Sequence, residues 1–184
     1  MSTKLKIAAA VAAAVLLSAC SSPKHEPMPL VKFTPSMEVT EVWSKGLSSA
    51  EGFLVPAVYD DMVFAAGGKT LTRLNARTGE TEWSVSFNSP ITGGVGSDGY
   101  VTAVGLWDGH LEVVDAEGKV SWEKKLTTEL ASPPVVSHGL VIARTMDTRV
   151  SAFEASSGEL QWTYQRSQPA LTVRLPTRML AHDN

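Results

Sequence analysis

The sequence predicts an all-β protein, a β-propeller of four-stranded antiparallel blades, on three observations. A tryptophan returns at a near-constant interval: Trp43, Trp83, Trp122 and Trp162 are separated by 40, 39 and 40 residues, the range in which a fixed period signals stacked structural repeats. Ahead of the last three stands a short polar turn ending in Gly79, Gly118 and Gly158, four residues before each tryptophan. Ahead of each turn runs an alternating apolar segment, so that Leu71 to Phe87, the stretch from Leu111 and the stretch from Val150 read as copies of one unit.

The chain opens on Lys4 and Lys6, an apolar run from Ile7 to Leu17 and then small residues, the anatomy of an export signal over residues 1–19. Eleven apolar residues fall short of the roughly 20 that cross a bilayer as a helix. Residues 20–37 hold four prolines and little periodicity, and read as an extended tether in which His25 is solvated. From residue 38 the text turns to strands. Val42-Trp43-Ser44 reads as a first short strand, followed by a Gly/Ser-rich loop. A full unit comes next: strands at Leu54 to Val58, Met62 to Ala66, Leu71 to Leu74 and Thr81 to Phe87, with turns at Asp60-Asp61, Gly67-Gly68 and Gly79. The next two units carry Asp98-Gly99 and His138-Gly139 in the first turn, and Asp108-Gly109 and Asp147-Thr148 in the second. Such pairs suit the positive φ angles of tight hairpins.

Runs such as Val58 to Ala66 and Val135 to Ile142 are apolar on both faces, which a lone sheet cannot bury. Radial stacking of blades solves this, with each indole as a flat wedge between neighbours and its N–H on a backbone acceptor. The three glycines fit a left-handed turn position. A β-sandwich does not require a 40-residue period. Trp107-Asp108 falls in a hairpin turn and not at a strand end, so it is no sign of a WD-type blade.

The net charge of −3 and the lack of a basic run interleaved with aromatics argue against nucleic acid as a partner. One cysteine, Cys20, excludes an internal disulfide and a multi-cysteine metal site. His110, His138 and His182 lack metal-ligand spacing, Asp60-Asp61 suits a turn, no G-x-S-x-G nucleophile motif occurs, and Gly93-Gly94 precedes a strand and not a helix. No catalytic residue, metal or cofactor is expected.

Leu17-Ser18-Ala19-Cys20 resembles the lipobox of bacterial lipoproteins, which implies that Cys20 becomes the lipidated first residue; the absence of Asp at Ser21 and Ser22 implies sorting to the outer membrane. Several acyl chains, at about 0.8 kcal/mol per buried CH₂, anchor a protein stably. The repeat resembles the PQQ-type propeller pattern A-x-D-x-x-T-G-x-x-x-W. Thr78-Gly79 with Trp83, and Ala152 and Ser157-Gly158 with Trp162, fit it, while Arg73 and Val113 stand at its Ala position. Signal, tether, first tryptophan and repeat together resemble the BamB family of lipoproteins over Cys20 to about Arg174, most specifically at Ser132 to Val141.

That resemblance implies an eight-bladed ring about twice this length, so three blades and an orphan strand at Trp43 are expected over residues 38–174, as in a truncated N-terminal half, with an atypical tail at 175–184. It implies a scaffold of the outer-membrane β-barrel assembly machinery, lipid-anchored and facing the periplasm beside other lipoproteins of that machinery. Leu171, Val173 and Arg174 match a Leu-x-Leu-Arg-like segment that in the family binds the POTRA domains of the barrel-forming partner, BamA; an ordinary strand reads equally well there, and the family's acidic residues that complete this surface lie beyond Asn184. The repeat is shared with PQQ-dependent dehydrogenases, the enzyme alternative, and a carbohydrate-binding or surface-displayed propeller is a third class.

Overall fold

The computed structural model describes residues 28–30, 36–48, 54–167 and 177–182. Contacts divide the chain into two units, Met1–Val39 and Thr40–Asn184. In the first, residues 28–30 and 36–39 are exposed and form neither strand nor helix. In the second, twelve strands among the described residues make three sheets. Blade one holds β1 (Ala57–Tyr59), β2 (Met62–Gly67), β3 (Thr70–Asn75) and β4 (Thr81–Ser86). Blade two holds β5 (Ile91–Ser97), β6 (Thr102–Leu106), β7 (His110–Val114) and β8 (Val120–Lys125). Blade three holds β9 (Val135–Ser137), β10 (Leu140–Arg144), β11 (Arg149–Glu154) and β12 (Leu160–Gln165). Every sheet is an antiparallel meander in chain order, the blade of a partial β-propeller.

Turn chemistry sets the registers. Ser137 pairs with Leu140 across His138-Gly139, whose φ angles of 51° and 74° are both positive, as a two-residue hairpin requires. Asp60, at φ 48°, turns β1 into β2. In blade two the Asp98 carboxylate accepts the amides of Tyr100 and Val101 at 3.0 and 2.8 Å, closing a four-residue loop. The third and fourth strands of every blade slip register at one equivalent place, after Arg73, Val113 and Ala152, the residues that face Trp83, Trp122 and Trp162. Such a bulge bends the strand end and swings the following turn out of the sheet plane.

The core lies between blades. Phe64, Ala66 and Leu71 of blade one pack with Ile91, Val95, Val104, Leu106 and Val114 of blade two. Ala103, Leu111 and Val113 of blade two pack with Val141, Ala143 and Phe153 of blade three. Blade two is therefore buried on both faces, so β6 reads as a continuous apolar run.

Three expectations change. Val42-Trp43-Ser44 is not a strand, because a strand needs a hydrogen-bonded neighbour and no described residue supplies one. The first strand starts at Ala57 and not Leu54, since Pro56 has no N–H to give a ladder. Gly93 and Gly94 lie inside β5. Side chains there would collide with Leu130 and Pro133, and one at Gly96 with the Pro134 carbonyl, because the segment entering blade three crosses β5 at backbone contact.

Candidate functional site

The repeated tryptophans and glycines form one device, built three times. Trp43 Nε1 donates to the Ala76 carbonyl at 2.8 Å, Trp83 Nε1 to Ala116 at 2.9 Å and Trp122 Nε1 to Ala155 at 2.8 Å. Each acceptor opens the turn that ends in Gly79, Gly118 or Gly158, with φ of 72°, 81° and 69°. The indole lies flat on that glycine: a Cβ there would stand 2.6 to 2.7 Å from an indole carbon of Trp43, Trp83 or Trp122. Glycine is required twice over, by φ and by contact. Each lock joins one outer strand, or the Trp43 segment, to the next blade. Trp83 also stacks at a tilt on Phe64, 6.1 Å between ring centroids, and Trp122 on Phe153 at 6.0 Å. Trp162, on β12, is 43% exposed and touches no such turn among the described residues. Trp107 is exposed at a hairpin tip.

Arg73 strengthens the lock between blades one and two. Its Nη1 donates to the Ala116 carbonyl at 2.9 Å, beside Trp83, while its Nε lies 2.6 Å from Glu82 Oε2 and its guanidinium 5.8 Å from the centre of the Phe64 ring. At the position where the repeat pattern has Ala, the longer side chain thus reaches the neighbouring blade.

The opposite face of each sheet carries a cross-strand polar pair in one register. Thr72 and Ser84 hydroxyls are 3.1 Å apart, and Ser151 and Thr163 hydroxyls 3.2 Å apart. Blade two puts Glu112 opposite Glu123 there. Burial, then the Glu123 charge, pushes the Glu112 carboxyl above its ordinary range. On the same sheet, His110 Nδ1 lies 3.0 Å from Asp108 Oδ1. Burial pushes the Asp108 carboxyl up, but the bond from His110, with the charges of His110 and Lys125, outweighs it and leaves Asp108 below its ordinary range. Asp61 takes Arg77 Nε at 3.0 Å, a turn-closing role for one of the adjacent aspartates.

Cys20, Leu171, Val173 and Arg174 lie outside the described residues. Of the tail, residues 177–182 form no strand. Arg144 Nη1 donates to Thr177 Oγ1 at 2.8 Å, and Arg178 to Leu180 border a cavity of about 480 Å³ along the inner strands, with Val58 and Pro134 among its walls.

The sequence reading did not single out the acceptor alanines, Arg73 as a bridge or the carboxyl pair. The alanines were findable, since Ala76, Ala116 and Ala155 each follow a tryptophan by 33 residues.

Residues 39–90 and 67–184 match the family model described as outer membrane protein assembly factor BamB. The protein of that name from Burkholderia pseudomallei is 37% identical over 93% of this chain and 46% of its own length, and that from Bordetella pertussis 33% identical over 89% and 44%. The chain thus spans about half the length of the curated relatives it matches. The crystal structure of BamB from Moraxella catarrhalis superposes with a TM-score of 0.59 at 27% identity, covering 66% of this chain and 37% of that one. A quinohemoprotein alcohol dehydrogenase from Pseudomonas putida superposes with a TM-score of 0.55 at 22% identity, covering 64% of this chain and 21% of that one, a likeness of fold alone. A locked, Gly-turned blade repeat, matched by the family model from residue 39 onward, makes this chain a member of the outer membrane protein assembly factor BamB family.

Proposed function

We propose that the chain is a non-enzymatic scaffold of the outer-membrane β-barrel assembly machinery, which binds the barrel-forming, BamA-like partner through its POTRA domains and assists folding and insertion of outer-membrane proteins. The family match across the repeat carries this reading. The architecture supports it: blades tied edge to edge by indole locks hold their connecting loops in fixed relative positions, which suits a surface that must meet a partner without reorganising. Leu171, Val173 and Arg174 form the partner segment, an Arg that pairs with carboxylate between aliphatic neighbours that exclude water. Cys20 carries the lipid that holds the chain at the outer membrane, facing the periplasm and beside the machinery's other lipoproteins.

Purification of the tagged chain from detergent-solubilised outer membranes tests this reading. The barrel-forming protein should co-purify in stoichiometric amount, and its absence from the eluate, or recovery of a soluble dehydrogenase activity in its stead, would refute the scaffold role. For the anchor, Cys20→Ala should abolish incorporation of labelled palmitate and release the chain from membranes; equal label in both forms would remove the lipoprotein reading.

A further inference from the structure

Resting on the scaffold reading, we propose that the hairpin tip at Trp107 and Asp108 is a second contact for the periplasmic domains of the barrel-forming partner. The indole is its anchor, and a basic side chain of the partner is the group it receives.

The second hairpin of each blade turns at the end of the sheet where the chain passes from one blade to the next, and turn and passage are bonded together. As the chain leaves blade one, Phe87 N donates to the Lys69 carbonyl at 2.9 Å, and as it enters blade two Trp107 N donates to Pro90 at 2.8 Å. At the next passage Leu126 N donates to Gly109 at 2.9 Å and Met146 N to Glu129 at 3.1 Å. Where β12 ends, Thr148 Oγ1 donates to the Arg166 carbonyl at 2.7 Å. The chain thus leaves blade three at this same end, five residues ahead of Leu171, the first residue of the proposed partner segment. The Trp107 tip belongs to blade two, which has a described blade on either side.

The fold uses the backbone of this tip and not its indole. In blade three Met146 makes the same amide bond, and blade one turns in two residues, Gly68-Lys69, so the turn itself does not call for a tryptophan. Trp107 is nevertheless there, 62% exposed. Its backbone is held on several sides: Gly109 N donates to Leu106 at 2.9 Å, Lys125 Nζ donates to the Asp108 carbonyl, and the His110 amide donates to Asp108 Oδ1 at 3.2 Å. A pinned tip loses little freedom on binding, and tryptophan is among the residue types that most often carry interface affinity. Asp108 Oδ1 also meets His110 Nδ1 at 3.0 Å, while its Oδ2 takes no donor among the described residues. An exposed indole followed in the chain by a carboxylate suits a guanidinium or ammonium, which is drawn to the ring face and makes a charge-assisted bond to the carboxylate.

The test titrates the partner's purified periplasmic domains into the full chain in detergent, with the unfolding midpoint of every variant measured alongside. Trp107→Ala should weaken binding by about thirtyfold with its midpoint unchanged, and Trp107→Phe, which keeps an aromatic face, should recover part of the loss. Asp108→Asn should weaken binding less than Trp107→Ala does and make the affinity fall less steeply with added salt. Wild-type affinity in Trp107→Ala, beside an Arg174→Ala chain that has lost its own, would overturn this contact and leave the scaffold reading standing. No binding by the wild-type chain would overturn both. A Trp107→Ala midpoint that drops in step with affinity would show that the indole serves the fold, and an unchanged salt dependence in Asp108→Asn would remove the basic side chain; either result overturns the proposal.

Discussion

Trp122 occupies the lock between blades two and three, with one bond to Ala155, contact with Gly158 and a ring neighbour in Phe153. Removing a fully buried aromatic of this size costs about 3 to 5 kcal/mol, so Trp122→Ala, at a partly buried ring, should lower the denaturant midpoint by up to that equivalent. Trp107→Ala, at an exposed tip, should stay within about 0.5 kcal/mol of wild type. A larger loss at Trp107 would contradict the lock. At Glu112 the sign of the pH effect follows from the raised carboxyl: the folded state holds its proton more tightly than the unfolded chain does. The stabilisation is therefore fully present below the unfolded value of about 4.3 and lost as pH rises through the folded value. Glu112→Gln should flatten that fall and raise stability at neutral pH, as read from unfolding midpoints across a pH series. A steeper fall in the variant would show that another group governs the slope.

At the scale of elements, the strands of blades one to three were legible because each unit carries its own punctuation. Asp60-Asp61, Asp98-Gly99 and His138-Gly139 turn the first hairpin, and three Gly-ended turns precede three tryptophans. What stayed hidden was contact between units. Nothing in the period tells that Arg73 reaches a carbonyl 43 residues away, or that Gly96 is glycine because blade three's entry crosses it. The strand expected at Trp43 failed for a related reason: its indole finds a partner while its backbone pairs with no strand among the described residues. The crossing yields a direct test. Gly96→Ala should drive a methyl into the Pro134 carbonyl and destabilise the chain by about 1 to 3 kcal/mol, the usual range for overpacking. A neutral effect in thermal unfolding would mean that the entry segment can move aside.

For the whole molecule, the family was legible in the repeat, and the blades pack as stacked repeats do, each with its interface to the next. The proposed partner segment rests on resemblance alone, because Leu171-Thr172-Val173-Arg174 alternates as any strand does and its spacing carries no chemistry of its own. Its role is decided by affinity. Titration of purified periplasmic domains of the barrel-forming partner into the chain, followed by calorimetry, measures the central claim. The scaffold account predicts saturable binding that Arg174→Ala weakens by about thirtyfold, the equivalent of about 2 kcal/mol, with no shift in unfolding midpoint. Absence of binding, or an Arg174→Ala chain that loses stability while keeping its affinity, would contradict it.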